Sequence, residues 1–96
     1  MKLVIDGRTI RSESDLHDLL ASKLDFGPYY GRNLNALRDR LSTDVERPVD
    51  LVWQYSAASR DMLGSELFEQ IAALFVKVMK HDERFEPDER FTIRFE

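Results

Sequence analysis

Two neighbouring features of the chain carry side chains that could bind another molecule. Tyr29 and Tyr30 stand between a proline and a glycine. Asp39 stands between two arginines in the segment that follows, whose leucines recur at helical spacing. Tyrosine is enriched at the energetic centres of protein interfaces, and an exposed carboxylate can pair with the cations of a partner. Each feature also has a purely structural explanation. Either ring could fold over the core and fix the loop, and Asp39 could form a local surface ion pair of small energetic value.

The motifs that build common enzyme sites are missing from the chain. GxGxxG, the P-loop, GxSxG and HExxH do not occur. The glycine-rich segment 27–31 contains Pro28 and two adjacent tyrosines, which would deny a phosphate the open row of backbone N–H groups that it needs. His17 has one weak metal-binding neighbour at helical spacing, Glu13, and we expect this histidine at the surface or at an edge. The residues favour a binding protein without catalytic residues, metal or cofactor.

Composition narrows the class of protein. The 96 residues are 43% hydrophobic and 33% charged, as in a globular chain, and we expect one domain over residues 1–96. The chain has no cysteine, so disulfides and thiol chemistry are excluded. No apolar run approaches the length of a membrane span, and charged side chains near the N-terminus do not fit a signal peptide. We therefore expect a cytoplasmic protein that does not bind membranes.

Negative charge is concentrated in the second half of the chain. Residues 1–48 contain eight acidic and eight basic side chains, and residues 49–96 contain ten acidic and six basic ones, which gives the net charge of −4. Five of these ten acids lie in the segment 82–89. An acidic protein is repelled by phosphate backbones, so we expect no direct nucleic-acid binding. The segment could attract a basic partner, or it could be an ordinary solvated loop.

Hydrophobic periodicity divides the chain into alternating strands and helices. The predicted strands cover residues 1–7, 49–54 and 91–96, and the predicted helices cover residues 13–24, 34–43 and 67–80, with a weakly helical segment at 55–63. Ser12 and Asn33 are the expected N-caps of the first two helices, and Pro48 is expected to stop the second. Strands separated by helices predict an α/β fold with a small parallel sheet.

This topology predicts where the loops lie. The first helix must run back along the first strand, so the loop 25–33 is expected at the edge of the sheet where the strands begin. The segments 44–48 and 82–89 precede the second and third strands at the same edge. We therefore expect the tyrosine loop and most of the excess acid on one side of the molecule.

The sequence resembles the barstar family of ribonuclease inhibitors. The likeness begins at VIDG, continues through IRSxSDLH at 10–17, and is densest in PxYGxNLxALxDxL from Pro28 to Leu41. It then includes VExP at 45–48 and the strand that ends in Trp53. Beyond residue 56 only the pattern of helix, loop and final strand matches. The resemblance implies a two-layer α/β fold whose three-stranded parallel sheet has the order 1-2-3 and is packed with helices.

The resemblance also implies how the chain acts. In the family, the loop between the first two helices and the second helix plug the active site of a ribonuclease, and a helix aspartate takes the place of the substrate phosphate. Asp39 matches that aspartate. The partner-binding residues expected from the resemblance and from the exposed helix face are Tyr29, Tyr30, Gly31, Asn33, Asn35, Ala36, Arg38, Asp39, Ser42, Asp44 and Glu46. The implied partner is a basic ribonuclease or ribonuclease-like toxin, bound one-to-one by an immunity protein or antitoxin.

Three positions depart from the family pattern. Asn35 stands where the pattern has an aspartate, and Arg38 and Asp44 stand where it has tryptophans. The contact expected from the last helix has no clear counterpart, and its candidate positions include Leu74 and Lys77. We therefore expect inhibition of a ribonuclease other than barnase. The alternative is a barstar-fold interaction module whose partner is not a nuclease, and a third hypothesis is a small enzyme or nucleic-acid binder.

Overall fold

The computed structural model describes all 96 residues and shows the predicted sheet. Its three strands are β1 (Lys2–Asp6), β2 (Val49–Gln54) and β3 (Phe91–Phe95). They are parallel and lie in the order β1-β2-β3, with Leu3 beside Leu51 and Leu51 beside Ile93. The predicted α/β class and strand order are confirmed.

Four helices connect the strands. They are α1 (Glu13–Lys23), α2 (Leu34–Thr43), α3 (Ser56–Leu63) and α4 (Ser65–Asp82). Ser12 caps α1 by accepting a hydrogen bond from the Asp15 N–H at 3.1 Å, and Asn33 caps α2 by accepting one from the Ala36 N–H at 2.8 Å. Both predicted caps are confirmed. The prediction that Pro48 stops α2 is wrong, because the helix ends at Thr43, after which Val45 turns into the core.

One face of the sheet carries the core. The apolar residues Leu3, Leu51 and Phe91 on that face are buried against the helices, whereas Lys2 and Arg94 on the other face are exposed. The core is a single cluster of 19 buried residues. This arrangement of one sheet layer and one helical layer agrees with the predicted two-layer fold.

A buried hydrogen-bond chain ties the ends of the strands to α3. The Trp53 indole N–H donates to the Ser59 hydroxyl at 2.9 Å, and that hydroxyl donates to the Gly7 carbonyl at 2.7 Å. A Cβ atom at Gly7 would collide with the Tyr55 carbonyl oxygen, so the backbones approach closely only because this residue is glycine. None of the helices is both long and apolar enough to cross a membrane.

Only part of the loop 25–33 lies at the edge of the sheet where the strands begin, although the whole loop was predicted there. Lys23 at the end of α1, Asp25 at the start of the loop and the segment 44–48 line one open groove of about 500 Å³ at this edge. The later part of the loop 25–33 leaves the edge, because Arg32 contacts Ser14 in the first turns of α1. The expectation that the whole loop lies at this edge is wrong. Since α2 must end where β2 begins, its N-terminus lies at the far end and the loop runs back along α1 to reach it.

Candidate partner-binding surface

The two tyrosines of the loop have opposite environments. Tyr29 is 90% exposed, whereas Tyr30 is 7% exposed and its ring packs against Phe26, with 4.8 Å between the ring centroids. The ring of Tyr30 therefore folds into the core and fixes the loop, which was the structural explanation offered for either tyrosine. Tyr29 is left with its ring free for contact with a partner.

His17 holds the Tyr30 ring in place. The prediction of a surface histidine is wrong, because this side chain is 2% exposed and lies beneath the loop. Its Nε2 lies 2.9 Å from a carboxylate oxygen of Glu13, and its Nδ1 forms a hydrogen bond with the Tyr30 hydroxyl. A carboxylate oxygen accepts, so the ring donates to Glu13 through Nε2, and an imidazole whose proton is on Nε2 accepts from the Tyr30 hydroxyl through Nδ1. Burial raises the pKa of the Tyr30 phenol to about 12, so the hydroxyl keeps its proton at neutral pH.

Further contacts fix the backbone of the loop. Arg32 adopts a left-handed backbone conformation with φ of 56°, and its guanidinium reaches Asp18 at 2.7 Å. From the other side, Arg40 donates to the Phe26 carbonyl at 2.7 Å. Gly31 sits close to α2, where a Cβ would lie 3.1 Å from the Cβ of Ala36. The loop is thus attached to both helices, and Tyr29 projects from a fixed backbone.

The outer face of α2 presents a carboxylate that no other group of the chain engages. Asn35, Arg38, Asp39 and Ser42 are all exposed on this face. Asp39 was expected to pair with a neighbouring arginine if its role were only local. No cationic side chain lies within 4.0 Å of its carboxylate, and Arg40 turns instead toward Asp44 at 3.5 Å. The Asp39 carboxylate is therefore free to meet a cation of another molecule.

The structure brings most of the predicted site residues onto one continuous strip. The strip follows the loop, the outer face of α2 and the segment after α2, and its exposed members are Tyr29, Gly31, Asn33, Asn35, Arg38, Asp39, Ser42, Asp44 and Glu46. Ala36 is half-buried beside Gly31, and Tyr30 lies underneath. The Asn33 side chain is occupied in capping α2. We call this strip the α2 surface.

A groove between α2 and α4 adjoins the α2 surface. It measures about 290 Å³ and is lined by Leu34, Asn35, Arg38, Gln70, Ala73, Leu74 and Lys77. Leu74 and Lys77 were candidate contacts of the last helix, and they do lie beside α2. Gln70 and Ala73 were not predicted from the sequence, although the spacing of positions 70, 73, 74 and 77 is that of a single helix face.

The acidic segment 82–89 contains one buried and several exposed carboxylates. Asp82 is 1% exposed and accepts hydrogen bonds from Arg47 Nε at 2.9 Å and from the Phe91 N–H at 2.8 Å. Burial alone would raise the pKa of this carboxyl, but those hydrogen bonds outweigh burial and hold the pKa below its usual range. The other acids of the segment are exposed and make no side-chain hydrogen bond or ion pair; they are Glu83, Glu86, Asp88 and Glu89. Of the five carboxylates in this segment, only that of Asp82 contributes to the fold.

Comparison with known proteins gives the class of the chain. The family model described as Barstar (barnase inhibitor) matches residues 1–95. The Bacillus subtilis (strain 168) protein named "Putative ribonuclease inhibitor YrdF" is 48% identical over 64 residues, which are 67% of this chain and 70% of that protein. The chain belongs to the barstar family, and the resemblance seen in its sequence is confirmed. Both descriptions name an inhibitor.

Proposed function

We propose that this chain inhibits a ribonuclease by covering its active site with the α2 surface. The observation that carries the proposal is the free carboxylate of Asp39, which stands exposed on a capped helix without a cationic partner of its own. A ribonuclease must hold the phosphate of its substrate with cationic groups. A carboxylate aimed at those groups occupies the phosphate position and is stabilised by the same charges.

Preorganisation supports this function. The backbone that carries Tyr29 is fixed by the buried contacts of Tyr30 and by Arg32 and Arg40. An exposed aromatic ring on a fixed loop can anchor an interface, because little conformational freedom is lost when the complex forms. Tyr29 and Asp39 would therefore act together, the ring packing beside the active site and the carboxylate entering it.

The proposed partner is a basic ribonuclease or ribonuclease-like toxin, bound one-to-one. The net charge of −4 speeds the approach of a basic protein and opposes direct binding to nucleic acid. In this role the chain acts as an immunity protein or antitoxin that protects the cytoplasm in which it is made. The activity is occlusion, for which the chain needs neither a catalytic residue nor a cofactor.

A second candidate function is an interaction module of the same fold whose partner is not a nuclease. Arg38 favours it, because this exposed arginine lies on the α2 surface one residue from Asp39. A guanidinium at that place does not suit a partner surface that is uniformly basic. The two candidates differ in whether the captured partner cleaves RNA.

The test is a ribonuclease assay combined with affinity capture. Purified chain is added to cellular and secreted extracts of the organism that encodes it, and cleavage of a fluorescent RNA is followed. We expect the chain to lower the ribonuclease activity, and the immobilised chain to retain a ribonuclease in equimolar amount. The double variant Tyr29→Ala/Asp39→Lys, altered only at exposed side chains, is the matched control and should do neither. Unchanged RNA cleavage, with capture of a partner that lacks nuclease activity, would contradict the proposal and favour the second candidate.

A further inference from the structure

The groove between α2 and α4 has a charge opposite to that of Asp39. Leu34, Leu74 and Ala73 supply its apolar walls. Its only charged lining residues are Arg38 and Lys77, one from each helix, and none of the lining residues carries a carboxylate. The groove is therefore an apolar channel flanked by two cations in a protein whose overall charge is negative.

Neither cation of the groove is neutralised within the chain. Arg38 and Lys77 are exposed, and neither has a carboxylate within 4.0 Å, whereas Arg32, Arg40, Arg47 and Arg60 all form ion pairs. Consecutive helical residues point about 100° apart, so α2 presents Asp39 on one side and Arg38 on the side that faces α4. A partner that covers Asp39 also reaches Arg38, because the two side chains start from adjacent residues.

We propose that this groove receives a segment of the partner ribonuclease in which an acidic side chain stands beside an apolar one. The proposal rests on the proposed function and specifies the partner. Covering Arg38 and Lys77 without an anion would remove two charges from water uncompensated, which is unfavourable. An acidic side chain placed between them supplies that anion, and its apolar neighbour packs on Leu34 and Leu74. The partner then carries a carboxylate next to its cationic active site, and ribonucleases that are basic at both places are rejected.

The experiment uses the ribonuclease retained by the immobilised chain in the capture described above. Its Kd is measured by calorimetry for Arg38→Glu and Lys77→Glu, which reverse the two groove charges. Lys80→Glu is the matched control, because Lys80 is an exposed lysine of the same helix that does not line the groove. We expect each groove variant to raise Kd at least tenfold and the control to change Kd less than twofold.

A further variant guards against loss of folding in the reversed proteins. Ala73 is exposed in the groove, and Ala73→Glu adds a carboxylate there without removing a native contact. We expect this change also to raise Kd at least tenfold, with an unchanged thermal unfolding midpoint.

The outcomes separate this inference from the function on which it rests. If Asp39→Ala abolishes binding while the groove variants bind as tightly as wild type or more tightly, the cations only repel a basic enzyme and the groove inference is overturned. If Asp39→Ala binds like wild type, or if the immobilised chain retains no ribonuclease, the proposed function and this inference both fail.

Discussion

The α2 surface and the acidic segment 82–89 both expose carboxylates, but they are supported differently. Behind the α2 surface lie a buried histidine, a buried tyrosine and a capped helix, which together fix the loop and the helix. In the segment 82–89, Asp82 alone is buried, and the exposed acids stand on a short stretch that contains one 3-10 turn (Pro87–Glu89) and is attached mainly by Arg90, which donates to two of its carbonyls. A free carboxylate on a fixed helix can make a directed contact, whereas carboxylates on such a stretch act mainly through their field.

Aspartate has a different role in each of the two regions. Asp82 is an acid that the fold itself uses, since it joins Arg47 to the first backbone N–H of β3. Asp39 is an acid that the fold does not use. We therefore expect substitution of Asp82 to affect stability, substitution in the α2 surface to affect binding, and substitution of the exposed acids of 82–89 to affect the rate of association.

The largest effect on the stability of the fold is expected for Asp82→Ala. The change leaves the half-buried Arg47 Nε and the buried Phe91 N–H without this acceptor, and removing one partner of a buried ion pair costs about 3 kcal/mol of unfolding free energy. Because the pKa of Asp82 is lower in the folded than in the unfolded chain, its contribution is present above about pH 4 and is lost as the pH falls through the lowered value. Urea unfolding of the wild type and the variant at pH 7 and at pH 3 measures both the loss of unfolding free energy and its dependence on pH. Equal free energies of unfolding for the variant and the wild type at pH 7 would show that Asp82 does not stabilise the fold.

Tyr30→Phe should weaken the support of the loop without touching the exposed surface. The change leaves the buried His17 Nδ1 without its hydrogen bond, at a cost of about 1–3 kcal/mol of unfolding free energy. Because burial raises the folded-state pKa of Tyr30 to about 12, wild-type stability should fall relative to the variant as the pH rises from about 10 to about 12. Chemical unfolding across this range is the measurement. A large rise in Kd per folded molecule would instead place the hydroxyl in the interface.

Tyr29→Ala should affect binding alone. The ring is 90% exposed, so its loss should leave the unfolding midpoint unchanged and weaken the complex by more than about 1 kcal/mol, as loss of an interface anchor does. Titration calorimetry with the captured ribonuclease measures the change, and Met62→Ala, which truncates an exposed side chain on α3, is the control. A destabilised monomer with unchanged binding would show that Tyr29 also supports the loop.

The smallest effect is expected for the exposed acids of the acidic segment. Changing Glu83, Glu86, Asp88 and Glu89 to their amides should slow association a few-fold at low salt, because hydrated charges steer a basic partner over distances that salt screens. The rate should approach the wild-type value at high salt, and dissociation should not change. Stopped-flow association across salt concentrations decides this. Rates equal to wild type at low salt would place the segment away from the path of approach.

Local signals in the sequence predicted the elements well. The N-caps Ser12 and Asn33 and the apolar spacing of the helices located α1 and α2 to within a residue, because these interactions are short-range in the chain. The helix predicted at 67–80 extends from Ser65 to Asp82, since its ends depend on tertiary contacts such as that between Asp82 and Arg47. The strand order followed from the family resemblance.

The support behind the site could not be predicted in the same way. His17 was expected at the surface because a lone histidine usually lies there, yet the loop folds back over α1 and buries it against Tyr30. The sequence did not show which of Tyr29 and Tyr30 is buried and which is exposed, because it does not specify which ring the loop turns inward. Glu13 at helical spacing from His17 was the one available signal that this histidine has a hydrogen-bond partner.

The most direct test of the proposed inhibitor is the affinity of Asp39→Ala for the captured ribonuclease. The matched control is Asp61→Ala, because Asp61 is an exposed aspartate on α3 whose side chain makes no hydrogen bond or ion pair. Truncating one partner of a charge pair that binding buries costs about 2–5 kcal/mol, a range to which the barnase–barstar complex itself contributed. We therefore expect Kd to rise roughly 30-fold or more for Asp39→Ala, with an unchanged unfolding midpoint, and to remain at the wild-type value for Asp61→Ala. Equal affinities of the two variants would contradict the placement of Asp39 in the active site of a ribonuclease.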